Sequence, residues 1–368
     1  MNDTFTGPVA ISSGAIREVA PYLKEQGFSR IAIVADKRTY GVAGRRLEED
    51  IALAGLTVRA TLIEPDRQDD VIADEASLIQ LILALRQDAA EIVVAAGSGT
   101  LHDIARFSAY AVGIPFVSVP TAPSVDGFNS VGAPLILRGE KKTIGAIGPS
   151  AIFADLDVLA GAPDAMIAAG FGDMLGKYTS LFDWTYGSLT GDEPFDREVF
   201  DRTERALARC VEHVDEIGRR SRQGIEILMR ALVESGFAML RFGQSHPASG
   251  SEHHLSHYWE MELLRLGKRQ ILHGAKVGIA CGIVSDLYHR LAEEEPSLFP
   301  EPRREAIKEA IGRIPRGERI RELLSRVGGP TAPGELGIGQ ELVERSLREA
   351  HLIRPNRRTL LRAYNERR

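Results

Sequence analysis

The chain has 368 residues, longer than the roughly 250–300 at which one hydrophobic core stops growing, so two domains are expected. Lys plus Arg number 45 and Asp plus Glu 51; the net charge of -6 argues against nucleic acid as the main partner, because phosphate backbones need a basic surface. Hydrophobic residues make up 44%, mean hydropathy is -0.10, and no uninterrupted apolar run approaches roughly 18 residues, so disordered, fibrous and membrane-spanning classes drop out.

The opening stretch, MNDTFTGPVAISSGAIREV, lacks a basic segment followed by an apolar one, so no secretory signal is expected. Cys210 and Cys281 are the two cysteines and read as reduced, which points to a cytoplasmic enzyme. RIAIVAD (30–36) reads as a strand ended by a turn-prone acid. Residues 42–54 read as a helix, LTVRATLIE (56–64) as a second strand, and 72–88 as a helix with apolar residues at helical spacing. EIVVAAGSGT (91–100) is a buried strand running into a glycine turn; HDIARFSAYAVG follows as a helix, and PFVSVPTAP (115–123) as another strand. Alternating strand and helix predicts a parallel sheet with helices on both faces.

The glycine turn has two readings. A dinucleotide fold usually carries its glycine-rich turn after the first strand and an acid about 20 residues later. Here the order is reversed: Asp36 ends the early strand and Gly97-Ser98-Gly99-Thr100 comes 61 residues on. Glycines still let backbone approach a pyrophosphate, and the following helix offers unpaired N–H groups. Asp36 could take the ribose hydroxyls, and Lys37 could tolerate a 2′-phosphate. The other reading is a plain strand-to-helix turn. Thr121, Ser124 and Asp126, at the next strand end, suit a sugar–phosphate cofactor and a polyol substrate, or else a Pro-fixed Asx turn.

After Ala160 the strand signals fade. Residues 164–187, 195–216, 223–242, 251–266, 270–293 and 301–313 read as helices, and IEILMRALVESGFAMLRFG, apolar nearly all round, as a core helix. The domains expected are 1–160 and 161–368. His253 and His257 are four apart, so a helix sets both on one face; His273 follows, and Asp173 sits at a helix start. An Asp–His–His site with an open position would suit a catalytic metal, although histidines near helix ends also cap carbonyls. His254 is turned about 100° away and is expected to be outer or surface. Glu252 and Glu260 could also ligate. The tail from Arg354, with six Arg and one Glu, reads as a solvated helix face.

GSGTLHD (97–103), PTAPSVDGFNS (120–130), AGFGDMLGKYTSLFDW (169–184), SGSEHHLSHYWEM (249–261) and LHGAKVG (272–278) together resemble the superfamily of iron-type alcohol dehydrogenases, glycerol dehydrogenase and dehydroquinate synthase. Within it they resemble most the bacterial sn-glycerol-1-phosphate dehydrogenase branch. The resemblance implies an α/β nucleotide-binding domain with a parallel sheet, followed by an all-α metal-binding domain. It implies that Asp173, His253 and His273 bind the metal and that Asp126, Asp173 and His257 meet the substrate and serve catalysis. Gly97, Gly99, Thr100, Leu101, His102, Asp103, Thr121, Ser124 and Ser130 would hold NAD(P), and Asp36 its adenosine ribose. The metal implied is zinc, with nickel in some bacterial members; the ligand set also suits iron. The reaction implied is reduction of dihydroxyacetone phosphate to sn-glycerol 1-phosphate. A homo-oligomer, dimer or larger, is expected, with no nucleic-acid or membrane partner.

The residue chemistry fits. Hydride addition builds negative charge on a ketone oxygen, which a divalent ion on one carboxylate and two imidazoles stabilises. A proton then arrives through water or His257, whose ordinary pKa lies near neutrality. No basic residue in these motifs is an obvious phosphate clamp; Lys141, Lys142 and Lys177 are the candidates. Rival readings are a polyol or alcohol dehydrogenase of the same superfamily, a dehydroquinate synthase-like lyase and cyclase, and a non-catalytic binding protein.

Overall fold

The computed structural model describes residues 5, 7–191 and 193–367. Six strands form one parallel sheet: β1 (Val9–Ser12), β2 (Arg30–Ala35), β3 (Thr57–Leu62), β4 (Ile92–Gly97), β5 (Phe116–Pro120) and β8 (Ala151–Asp155), in the order β1-β8-β5-β4-β2-β3. The central strands read as continuous apolar runs because both faces are covered. Ile31, Ile33, Ile92 and Val94 pack with Leu23, Leu47 and Ile51 on one face. Ala32, Val34, Val93 and Ala95 pack with Leu81, Leu85 and Ile104 on the other. Burying each of the larger aliphatic side chains, such as Ile33, Val34 or Leu81, contributes about 1.5–3 kcal/mol.

The strand order resolves the reversed motif. From β2 the chain steps outward to β3, then returns to lay β4 on the other side of β2. This is a topological switch point, where a crevice opens beyond the carboxyl ends of the strands. Val34 registers with Ala95, so Asp36 and the glycine turn, far apart in sequence, leave the sheet as neighbours.

β6 (Gly132–Leu137) and β7 (Glu140–Gly145) form an antiparallel hairpin that the alternation signals miss. Its two turn residues, Arg138 and Gly139, both have positive φ (54° and 75°), the geometry of a tight hairpin but without the usual Asn-Gly pair. β1 and β8 are also additional to the expected strands.

Beyond Asp155 the described residues form helices and turns. The stretch expected as one helix over 164–187 is two, Asp164–Leu175 and Lys177–Gly191, separated at Gly176. Arg222–Phe242 is the expected core helix, with Leu228, Met229 and Leu232 fully buried. The stretch expected as one helix over 195–216 is also two, Arg197–Glu212 and Val214–Gly218. Ser251–Arg265 and His273–Glu294 carry the histidines, and Arg304–Gly312, Gly317–Arg326, Gln340–Glu349 and Leu360–Glu366 follow. The basic tail is a correction. Leu360, Leu361 and Tyr364 are core residues, and Arg357 is buried, donating to the Ser249 carbonyl; Arg368 lies outside the described residues. Cys210 and Cys281 are free and buried. Among the described residues no helix is long and apolar enough to cross a membrane.

Candidate active site

Backbone contact between two helices builds the centre of the site. A Cβ on Gly274 would lie 1.9 Å from the Ala169 carbonyl oxygen, and one on Gly172 would lie 2.4 Å from that of Gly274. Glycine at both crossing points therefore lets Asp164–Leu175 and His273–Glu294 touch, setting Asp173 beside His273. The Ser251–Arg265 helix supplies His253. The ligand atoms of Asp173, His253 and His273 all lie within 4.8 Å of one another.

Their bonding suits a cation. Asp173 Oδ1 and His273 Nδ1 are buried with no hydrogen-bond partner among the described residues. The Nδ1 of His253 is 2.7 Å from Glu252 Oε1, leaving Nε2 3.6 Å from Asp173 Oδ1. A carboxylate behind a histidine fixes its tautomer and raises its basicity as a ligand. Glu252 is itself held by the Gly250 N–H and the Thr179 hydroxyl. Burial, with the Asp126 charge, pushes the Asp173 carboxyl up to about 7 although Lys177 pulls the other way; a divalent ion would add positive charge beside it.

Lys177, fully buried, lies 2.7 Å from Asp126 and 3.5 Å from Asp173 and donates to the Ala248 carbonyl. Burial works against ionising Asp126, but Lys177 holds its carboxyl below the usual range. Asp126 also accepts from Ser235, and its backbone N–H donates to Asp173. Lys177 is thus committed to two carboxylates, which removes it as a phosphate clamp. Lys142 pairs with Glu140 at the hairpin surface and is removed as well.

These groups open onto a cavity of about 540 Å³ lined by Asp126, His253, His257, His273, Lys141 and the glycine turn. A volume of a few hundred Å³ suits a small ligand and part of a cofactor. Ser98 holds the N-cap position of the Gly99–Val112 helix without a side-chain cap bond, so the first N–H groups of that helix, which have no helical acceptors, can receive phosphate oxygens. A Cβ on Gly99 would lie 2.9 Å from Val125, so the turn stays thin where a pyrophosphate would pass. Ser98, Gly99, Thr100, Asp103, Ser124 and Ser130 face the cavity. Leu101 and His102 point beneath the turn: Leu101 is in the core, and His102 sits between the Ser98 carbonyl and the Ser118 hydroxyl. Gly97 and Thr121 join the strand ends by the Thr121 N–H to the Gly97 carbonyl. Asp36 is spent partly on local structure, its Oδ1 accepting from the Arg38 and Thr39 N–H groups.

Three further residues show their roles only in three dimensions. Buried Arg106 ties Asp103 to the carbonyls of Gly127, Phe128 and Gly132, fixing the Asp126 loop over the glycine turn. Glu260, read as a possible ligand, instead holds Lys141 and Lys276. Arg354 reaches into the cavity. His254 is fully buried, not superficial. Burial, with the charges of Lys141 and Arg354, also keeps His257 well below its ordinary pKa.

The iron-containing alcohol dehydrogenase family profile matches residues 10–163. The chain is 48% identical to glycerol-1-phosphate dehydrogenase (NAD(P)+) of Geobacillus stearothermophilus, over 97% of this chain and 92% of that protein. It is 44% identical to the protein of the same name from Bacillus subtilis (strain 168), over 97% and 91%. Among solved structures, a probable glycerol dehydrogenase from Sinorhizobium meliloti 1021 shares the fold with a TM-score of 0.72 at 18% identity, over 98% of this chain and 92% of that one.

Proposed function

Because this chain belongs to the glycerol-1-phosphate dehydrogenase family, within the iron-containing alcohol dehydrogenases, we propose that it reduces dihydroxyacetone phosphate to sn-glycerol 1-phosphate with NADH or NADPH. The observation that carries this is the convergence of Asp173, His253 and His273 on a cavity that also receives the helix N-terminus after the glycine turn. The fold supports a division of labour, with residues 1–160 holding the cofactor and 161–368 the metal and most of the substrate. Zinc is the first candidate, with nickel and iron as alternatives. A homo-oligomer is part of the same proposal, and light scattering tests it.

When bound, a divalent cation supplies positive charge against the developing oxyanion, and the reduced nicotinamide supplies the hydride to the ketone carbon. Asp173, His253 and His273 hold the cation, with Glu252 orienting His253. Lys177 keeps Asp126 ionised and fixed at the cavity wall, where it can accept a substrate hydroxyl. His257 stays neutral at physiological pH, so it passes a proton from water to the new alkoxide rather than storing one. The Asp126 loop, pinned by Arg106, positions Ser124 and Ser130 against the cofactor.

Steady-state oxidation of NADH and NADPH by the metal-loaded protein tests this reading. A saturable rate is expected with dihydroxyacetone phosphate, and little with unphosphorylated ketone or polyol. His253→Ala should lose bound metal and turnover together; if both stayed at wild-type levels, the metal assignment would fail. Turnover of glycerol with none of dihydroxyacetone phosphate would favour the polyol dehydrogenase reading.

A further inference from the structure

We propose that the substrate phosphate is bound by Arg354, flanked by Ser245 and Ser249. The proposal rests on the reaction above and deepens it by naming the group that selects a phosphorylated ketone.

Three cations line the cavity among the described residues: Lys141, Lys276 and Arg354. Lys141 and Lys276 share Glu260, with Nζ to carboxylate distances of 2.7–2.9 Å. That trio locks the β6–β7 hairpin to the Ser251–Arg265 helix and carries one net positive charge for two ammonium groups. Arg354 differs. Its contacts are two neutral hydroxyls, Nη1 donating to Ser245 Oγ and Ser249 Oγ, both at 2.9 Å. No carboxylate lies within ion-pair reach of it among the described residues. A half-buried guanidinium without a counter-ion is costly, and an incoming anion removes that cost.

The geometry suits a phosphate. Both protons of Nη1 are used by the serines, which leaves the Nε–Nη2 edge, the planar fork that grips two oxygens of one anion. Each serine oxygen accepts from Arg354, so its own O–H is free to donate to a third oxygen. A methylene and an ester oxygen separate the ketone carbon of dihydroxyacetone phosphate from its phosphorus, and Arg354 lines the same cavity as His253, His257 and His273. The residue comes 81 positions after His273, outside every motif that carries the metal or the cofactor.

The test uses the metal-loaded full chain. Arg354→Gln should lower kcat/KM for dihydroxyacetone phosphate by about 10- to 100-fold, mostly through KM, and leave the rate with dihydroxyacetone within about twofold. Inorganic phosphate, a competitive inhibitor of the wild type, should weaken as an inhibitor in parallel. Arg354→Lys should recover part of the loss, and metal content and NADH affinity should match the wild type, which a folding defect would not allow. Wild-type discrimination in Arg354→Gln would overturn the proposal. So would transfer of the effect to Lys141→Ala, or a rise in KM for NADH without loss of discrimination. If the wild type itself prefers dihydroxyacetone, the functional reading falls and takes this proposal with it.

Discussion

Single residues in this site are tuned by what stands behind them. Glu252 touches neither cavity nor substrate, yet it sets the orientation of His253. A carboxylate at that position raises metal affinity, and its loss typically costs about 10- to 100-fold. Glu252→Gln should therefore load metal more weakly by about that factor while excess metal restores turnover; equilibrium dialysis showing unchanged affinity would remove Glu252 from the account. The candidate set Asp173, His253 and His273 could be put forward from sequence on residue type and histidine spacing, and the structure brings their ligand atoms together; Asp173, however, read at a helix start, lies in the last turn of the Asp164–Leu175 helix. Arg354 and the Lys141–Glu260–Lys276 trio were not legible. Their partners lie between 16 and 119 residues away, and no local periodicity encodes such contacts. His254 was misplaced for a related reason: a helical wheel gives direction but not what packs on that side, and here every side of the helix start is covered.

At the scale of elements, two arrangements create the site. The strand order β3-β2-β4 opens the crevice and makes neighbours of Asp36 and the glycine turn. Alternating pattern alone shows the strands but not their order, so the reversed motif becomes intelligible only in the sheet. The second arrangement is the glycine contact between the Asp164–Leu175 and His273–Glu294 helices. Alanine normally favours a helix over glycine by about 1 kcal/mol, so the expected effect of Gly274→Ala runs against propensity. Its Cβ would collide with the Ala169 carbonyl, and overpacking of this kind costs about 1–3 kcal/mol. Thermal unfolding should show a lower Tm together with weaker metal binding, because separating the helices pulls His273 from Asp173. A raised Tm with intact metal content would contradict the close-contact argument.

Across the whole molecule, charge explains how a chain of net charge -6 can serve a phosphorylated substrate. Attraction has to be local, from the cation site, Arg354 and the helix N-terminus. Buried acids have a global consequence too. Burial, with the Glu252 charge, pushes Asp183 from 3.8 up to about 6. The folded chain thus keeps a proton that the unfolded chain releases earlier, so this site's contribution to stability declines as pH rises through about 4 to 6. Urea unfolding over that range should give a shallower pH slope for Asp183→Asn. That variant is also less stable throughout, since Asp183 accepts from the Ser251 and Leu360 N–H groups and from Tyr288; an unchanged slope would refute the assignment. The fold class was readable from the change in periodicity near residue 160. The hairpin that carries Lys141 was not, because Pro134 and the paired lysines obscure its alternation. The most direct measurement on the central claim is chiral analysis of the product made from dihydroxyacetone phosphate and NADH or NADPH by the metal-loaded protein. The account predicts sn-glycerol 1-phosphate; the 3-phosphate, or no reduction with either cofactor, would contradict it.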